Sequence, residues 1–296
     1  MKEAKFWEGV GLSRQKLDQL KTIIRTYEKV LVAFSGGSDS AFVLKVAREV
    51  LGKDNVLAVI AKSPSLPESE LKRARQTALE ADAPLIEIET GELENPDYAS
   101  NPVNRCYFCK SELYSHLVPM AKKMGFHFVL NGTNRDDLGD WRPGLKAAQD
   151  QGVRSPLVEA GLTKEDVRAA AHELGLSTWS KPQAACLSSR IPFGTRITAD
   201  RLRQIEEGEE ILKGLGFEVV RLRWFEKRAA IEVGAEETRI FFQDALIREK
   251  TIAGLKGIGF QTIDLYLAGY RSGRFNPVKS ISRSLRPANE ILRASR

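Results

Sequence analysis

The sequence predicts an α/β protein in which a doubly wound parallel sheet is followed by a second, smaller α+β domain. Short apolar strands and amphipathic helices alternate over the first two-thirds of the chain, which is typical of a parallel sheet. After Thr198 the order changes to helix, hairpin, helix and strand. We therefore expect a main domain at 1–197, a small substrate or oligomerisation domain at 198–275 and a basic tail at 276–296.

The elements of the main domain follow from hydrophobic periodicity and from capping residues. Ser13 begins a helix that continues to about residue 28, and Pro67 begins another that continues to about residue 81. Thr163 and Asp166 form a capping box for a helix ending near residue 174. Further helices are predicted at 41–51 and 106–124, and the buried strands at 30–34, 56–61, 84–88 and 126–130.

In the second domain, apolar and polar residues alternate with the two-residue period that is typical of antiparallel strands. Thr198 is an N-cap for a helix that extends to about residue 215. Two alternating segments, 219–225 and 229–233, are joined by a short turn and predict a hairpin. A helix at 236–255 and a strand at 262–267 complete the pattern. Arg221 and Arg223 alternate with apolar residues, so both project from one face, which either binds anions or is simply solvated.

The segment Ser35-Gly36-Gly37-Ser38-Asp39-Ser40 lies between the first strand, which ends at Ala33 and Phe34, and the helix that follows. Glycines allow the backbone to approach a ligand closely, and the free N–H groups of a helix N-terminus attract anions. Asp39 would repel a phosphate unless a cation joined the two, which indicates Mg²⁺. The segment lacks the lysine of a Walker A loop, and the alternative is a plain glycine turn.

These six residues resemble the PP-loop of the ATP pyrophosphatase superfamily. That resemblance implies an adenine-nucleotide fold in which ATP is cleaved between its α and β phosphates. It further implies nucleotide contacts at Lys62, at the end of the second strand, and at Gly132 and Thr133, after the fourth. Asp136 and Asp137 follow and would hold a second metal ion or the ribose. An ordinary βα loop at Lys62 and a solvated acidic loop at the two aspartates remain as alternatives.

The three cysteines, Cys106, Cys109 and Cys186, all fall at the predicted active-site end of the sheet. With Asp39, they are the candidate catalytic residues. Two intervening residues allow Cys106 and Cys109 to reach one metal centre, and we expect all three thiolates to bind a [4Fe–4S] cluster with one open iron. A persulfide on Cys186, a zinc site and buried free thiols are the alternatives.

The stretch that follows Cys186 has the composition of a phosphate-binding loop. Ser188, Ser189 and Arg190 offer two hydroxyls and one guanidinium fork, a combination suited to phosphate oxygens. We expect them to hold the phosphate of the acceptor substrate, with Arg221 or Arg223 assisting from the second domain.

Composition limits the setting in which the protein acts. No run of eighteen apolar residues is present, so no membrane span is predicted. The cysteine count is odd and nothing indicates secretion, which favours the cytoplasm. Residues 271–296 contain seven basic residues and one acidic residue. The net charge of this segment is therefore +6, which equals the net charge of the whole chain. Three interpretations of this tail remain open: it binds phosphates or nucleic acid, it contacts an acidic partner subunit, or it is simply solvated.

Four segments together resemble the LarE-type ATP-dependent sulfur transferases, over nearly the whole length. The segments are Ser35 to Ser40, the six residues from Trp141, the ten residues from Cys186, and the six residues from Gly269. The resemblance implies a small-molecule substrate, a pyridinium biscarboxylate mononucleotide, on the route to the nickel-pincer nucleotide. ATP adenylates one carboxylate, which becomes a thiocarboxylate. In one branch of the family a single cysteine, at the Cys186 position, gives up its own sulfur.

This sequence differs from that sacrificial branch because it also contains Cys106 and Cys109. With these cysteines we expect repeated turnover, in which sulfide or a sulfur-donor protein supplies the sulfur. We expect ATP, Mg²⁺ and the cluster as cofactors, and a homo-oligomer. A PP-loop tRNA thiolase is an alternative that the basic tail mildly favours, although we do not expect nucleic acid as a partner. An amide-forming ligase is a further alternative, but the chain has no spare length for a glutaminase domain.

Overall fold

The computed structural model describes residues 14–139, 142–181, 185–271 and 273–275. Its first sheet has four parallel strands in the order β3-β2-β1-β4. The strands are β1 Val30–Ala33, β2 Val56–Lys62, β3 Leu85–Glu89 and β4 Phe128–Leu130. The predicted doubly wound α/β fold is thus confirmed, and the carboxyl ends of all four strands lie at one edge, where ligands of such sheets bind.

Helices cover both faces of this sheet. The side chains of β1 alternate between the two faces, and because they are apolar, both faces must be buried. Val30 and Val32 belong to one apolar core, and Leu31 and Ala33 belong to another on the opposite face. The helices of this part of the chain are α1 Arg14–Tyr27, α2 Ser38–Leu51, α3 Glu68–Glu80, α4 Pro96–Ala99, α5 Arg105–Lys123, α6 Gly144–Asp150, α7 Pro156–Glu159 and α8 Lys164–Glu173.

The second sheet contains β5 Val220–Phe225, β6 Arg228–Val233 and β7 Thr262–Leu265 in that order. Strands β5 and β6 form the predicted antiparallel hairpin, whereas β6 and β7 pair in parallel. The helices that accompany it are α9 Ala199–Gly214, α10 Ile240–Gln243 and α11 Ala245–Gly257. The prediction of one helix at 236–255 was wrong, because Asp244 leaves the helix and its side chain caps the start of α11 through the N–H of Ile247.

The core of the second sheet extends into the first part of the chain. Leu187 and Ile191, from the Cys186 segment, and Tyr98 of α4 are buried in the same cluster as Leu222 and Phe260. The segment with the third cysteine is therefore held between the two sheets. The domain boundary at residue 197 stays a prediction.

Some of the predicted features fall outside the described residues, namely the cap at Ser13, Trp141 in its motif and the basic tail at 276–296. No helix in the part of the chain that the structure describes is long and apolar enough to cross a membrane.

Candidate active site

The PP-loop is closed on itself by its own hydroxyl groups. The Oγ atoms of Ser35 and Ser40 are 2.9 Å apart, and the backbone N–H of Ser35 donates to Ser40 Oγ at 3.2 Å. Gly36 has a φ of +68°, and a Cβ atom there would lie 2.6 Å from the Cβ of Ala74 on α3. A side chain at this position would therefore be both strained and in collision, which explains the glycine.

Two buried polar atoms at the start of α2 have no hydrogen-bond partner among the described residues. They are Ser38 Oγ and Asp39 Oδ1. Buried polar groups are almost always paired. The two atoms therefore indicate a ligand that offers an acceptor to the Ser38 hydroxyl and a donor or a cation to the Asp39 carboxylate. A nucleotide phosphate with Mg²⁺ fits this pair, because the hydroxyl donates to phosphate and the carboxylate binds the metal.

Two lysines from distant segments approach the PP-loop. Lys164, the first residue of α8, places its Nζ 2.9 Å from Asp39 Oδ2. Lys181 Nζ lies 3.3 Å from the carbonyl oxygen of Gly36 and 2.6 Å from a carboxylate oxygen of Glu70. Neither lysine could be recognised from the sequence, because no local pattern reveals a contact between residues 125 or 145 positions apart.

The turn after β4 packs directly on the start of α2. A Cβ atom on Gly132 would lie 2.6 Å from the backbone N of Ser40, so only glycine permits this approach. Asp137 is buried, accepts the N–H of Asn134 at 3.1 Å and pairs with Arg142 at 2.8 Å. Burial raises the pKa of Asp137, and the nearby charge of Asp39 raises it further against the opposing effect of Arg142.

The remaining predicted nucleotide contacts lie at the same edge of the sheet. Thr133 follows Gly132 in the turn, and Asp136 accepts the backbone N–H of Lys164 at 2.8 Å. Lys62, the last residue of β2, lines a cavity of about 330 Å³ with Glu89 and Glu206. A cavity of about 440 Å³ at the other end of the sheet is lined by Phe128, at the start of β4.

The three cysteines are free thiols that share one neighbourhood. Cys106 and Cys109 lie near the start of α5, and Cys186 precedes the short helical turn Leu187–Arg190. Cys106 is partly exposed, but atoms packed around its sulfur raise its pKa. The charge of Cys186 raises the pKa of Cys106 further. Burial likewise raises the pKa of Cys109 to about 12, with contributions from Cys186 and Cys106 against Lys110.

Among the described residues, no set of three or more histidine, cysteine, aspartate or glutamate side chains is placed to ligate one metal ion. A [4Fe–4S] cluster poses a different requirement, because each thiolate binds a separate iron and the thiolates need not surround a single ion. Cys186 influences the pKa values of Cys106 and Cys109, so the three thiols are close enough to interact electrostatically, and iron coordination would replace the protons that burial favours.

The Cys186 segment is fixed in place by the first part of the chain. The backbone N–H of Leu187 donates to the carbonyl of Ser65 at 2.8 Å. The hydroxyls of Ser188 and Tyr98 are 2.7 Å apart and both residues are buried. Asn101 Nδ2 donates to the carbonyl of Pro192 at 2.8 Å. The residues that follow Cys186 are therefore held by hydrogen bonds to the first part of the chain.

Arg190 and Arg223 are engaged within the protein. Arg190 makes a two-pronged contact with Glu209 at 2.8 and 3.0 Å and also donates to the carbonyl of Cys186 at 2.9 Å. Arg223 makes the same contact with Glu232 at 3.0 and 2.9 Å and donates to the carbonyl of Ser189. These arginines support the loop, and the phosphate contact at Ser188, Ser189, Arg190 and Arg223 stays a prediction.

Arg221 differs from its two neighbours because no carboxylate pairs with it among the described residues. Its guanidinium lies 5.1 Å from the ring of Tyr270 and donates to the carbonyl of Val220. Burial lowers the pKa of Arg221, and the positive charges of Arg190 and Arg223 lower it further. A bound anion would relieve both effects, so Arg221 is the predicted arginine that the structure leaves available to a phosphate.

Comparison with known proteins gives one family match and several relatives. Residues 14–96 match the NAD synthase family. The chain is 42% identical over 263 residues to an uncharacterized protein of Synechocystis, covering 89% of this chain and 97% of that one. It is 40% identical over 261 residues to pyridinium-3,5-bisthiocarboxylic acid mononucleotide synthase of Lactiplantibacillus plantarum, covering 87% and 92%. An uncharacterized protein of Methanocaldococcus jannaschii is 29% identical over 87% of this chain and 98% of its own length.

Proposed function

The chain belongs to the LarE-type family of ATP-dependent sulfur transferases, and on that premise we propose its substrate, its sulfur carrier and the roles of its residues. It inserts sulfur into a carboxylate of a pyridinium biscarboxylate mononucleotide, in the synthesis of the nickel-pincer nucleotide. The observation that carries this proposal is the presence of a PP-loop with unpaired polar atoms on Ser38 and Asp39, together with a Cys186 loop that is hydrogen-bonded through Leu187 to Ser65, shortly after β2.

The PP-loop binds ATP and prepares its α-phosphate for attack. Backbone N–H groups from Ser35 to Ser40 and the Ser38 hydroxyl donate to phosphate oxygens. Asp39 would hold Mg²⁺, which neutralises charge on the phosphates. Lys164, which now pairs with Asp39, is close enough to move to the pyrophosphate. An acceptor carboxylate oxygen bonds to the α-phosphorus, and the bond to the bridging oxygen breaks with loss of pyrophosphate.

The second half of the reaction replaces the adenylate by sulfur. The sulfur of a hydrosulfide ion, free or delivered as sulfide by a donor protein, bonds to the activated acyl carbon, and AMP leaves with the electron pair of the broken C–O bond. Loss of the S–H proton gives the thiocarboxylate, and no oxidant or reductant is consumed. Cys106, Cys109 and Cys186 would hold a [4Fe–4S] cluster whose open iron supplies a binding site for sulfide.

Iron analysis tests the cluster part of this proposal. Protein reconstituted without oxygen should be brown and contain about four irons per chain. Cys106→Ala, Cys109→Ala and Cys186→Ala should each lose much of that iron, since three thiolates are the minimum set. Wild-type protein that remains colourless and free of iron would contradict the cluster. ATP-dependent sulfur transfer from a persulfide, or from a sacrificed Cys186, would then remain as the alternatives.

Substitution of Arg221 tests the phosphate site. Arg221→Gln should raise the KM for the mononucleotide by about tenfold to a hundredfold, because one charge-assisted contact to its phosphate is lost. The KM for ATP should change little, since the PP-loop is intact. Arg228→Gln, on the same hairpin but exposed and paired with Asp264, is the matched control. Equal increases in both KM values would argue against the assignment.

A further inference from the structure

Arg105, the first residue of α5, is a buried cation without a partner among the described residues. It is 7% exposed. Its guanidinium makes no hydrogen bond or ion pair within the part of the chain that the structure describes, and its Nε atom is buried with no partner there. The guanidinium instead faces the ring of Phe193, whose centroid lies 4.7 Å from the guanidinium carbon.

The surroundings of Arg105 make this charge costly. A buried charge without a counter-ion is strongly unfavourable. Arg105 also occupies the positive end of a helix of 19 residues that has no acidic side chain in its first turn, and a cation is repelled there. Arg190 and Arg223, by contrast, are buried with a glutamate each. Arg105 therefore lacks a counter-ion among the described residues, and a bound anion would supply one.

The position of Arg105 shows where that anion would bind. Arg105 precedes Cys106 directly in the first turn of α5. Phe193, on its other side, belongs to the loop that begins at Cys186. The guanidinium thus lies between the helix that contains Cys106 and Cys109 and the loop that contains the third cysteine. An anion held there lies beside the site of sulfur transfer.

We propose that Arg105 binds the carboxylate of the acceptor that is not being activated. This inference rests on the proposed function, because it requires an acceptor with two carboxylates on one ring. The planar guanidinium fork matches a carboxylate through two parallel hydrogen bonds, and Phe193 holds its plane. After the first sulfur transfer, the mono-thiocarboxylate rebinds with its thiocarboxylate at Arg105, which presents the remaining carboxylate to the PP-loop. Arg105 is thus a specificity-determining residue for bis-carboxylate acceptors.

Calorimetric titration with two mononucleotides tests this proposal. The probes are the pyridinium mononucleotide with carboxylates at positions 3 and 5 and its analogue with a single carboxylate at position 3. Wild-type protein should bind the first more tightly by about tenfold or more. Arg105→Met should remove that preference, and Arg105→Lys, which keeps the charge but lacks the fork, should reduce it. Arg25→Met, at an exposed position on α1, should retain it.

The outcomes separate this inference from the proposed function. Wild-type protein that binds neither mononucleotide contradicts the proposed function itself. A preference for the bis-carboxylate that survives in Arg105→Met, with ATP binding and melting temperature unchanged, overturns the role of Arg105 alone. That role is also overturned if the preference survives while the iron content falls, because Arg105 would then be a charge partner of the cysteines. A folded Arg105→Lys protein with full preference also contradicts the proposal.

Discussion

Asp39→Asn should reduce acceptor-dependent formation of AMP and pyrophosphate by a factor of about 10²–10³. The reason is electrostatic, because Asp39 Oδ1 is buried without a partner among the described residues and Oδ2 faces Lys164 at 2.9 Å. An amide at this position keeps the shape of the side chain but removes the negative charge that would bind Mg²⁺. Chromatography of the nucleotides, with radiolabelled pyrophosphate exchange as a second readout, measures the effect.

The control for this substitution is Asp18→Asn, an exposed aspartate on α1, which should leave AMP formation unchanged. Circular dichroism should show the same fold for both variants, because α2 begins at Ser38 with its backbone pattern intact. Full AMP formation by Asp39→Asn would contradict the proposed role of Asp39 in binding Mg²⁺. ADP as the product of the wild-type protein would contradict the whole PP-loop assignment.

Cys186→Ala should abolish thiocarboxylate formation while acceptor adenylation continues. Cys186 is held in its loop by contacts of its neighbours, the N–H of Leu187 with Ser65 and the hydroxyl of Ser188 with Tyr98, so loss of one thiol should leave the loop in place. The PP-loop residues are untouched, and pyrophosphate exchange should persist. Mass spectrometry of the mononucleotide, beside the exchange assay on the same sample, separates the two half-reactions.

Adenylation in the same variant serves as the internal control. A matched cysteine control is lacking, because the chain has three cysteines and the proposal assigns all of them to the site. If Cys186→Ala still forms the thiocarboxylate at the wild-type rate, Cys186 takes no part in sulfur transfer. If it loses adenylation as well, its role is structural. Wild-type protein whose Cys186 has become dehydroalanine after one reaction would identify the cysteine itself as the sulfur source.

The parts of the fold that depend on local pattern could be predicted from the sequence. The strand at Val30–Ala33 is apolar on both faces because helices cover both, and the capping box of Thr163 and Asp166 forms as expected. The break at Asp244 could not be predicted, since an aspartate inside an amphipathic pattern either faces solvent or caps a new helix. The parallel pairing of β6 with β7 likewise depends on how α11 returns the chain.

The site was harder to predict than the fold, because its charges come from distant segments. The sequence indicates that Arg190, Arg221 and Arg223 lie near one another, but it does not reveal which of them meet Glu209 or Glu232. Lys164 and Arg105 have no motif of their own. They are recognised only by what they face, an aspartate of the PP-loop in one case and an aromatic ring beside a thiol in the other.

The products of the reaction decide whether this chain is an ATP-dependent sulfur transferase that turns over. The full chain, reconstituted with iron without oxygen, is incubated with ATP, Mg²⁺, sulfide and the pyridinium biscarboxylate mononucleotide. We expect AMP and pyrophosphate, several thiocarboxylate groups for each protein chain, and an intact Cys186 in the recovered protein. Formation of ADP, or of AMP with no sulfur in the mononucleotide, would contradict it.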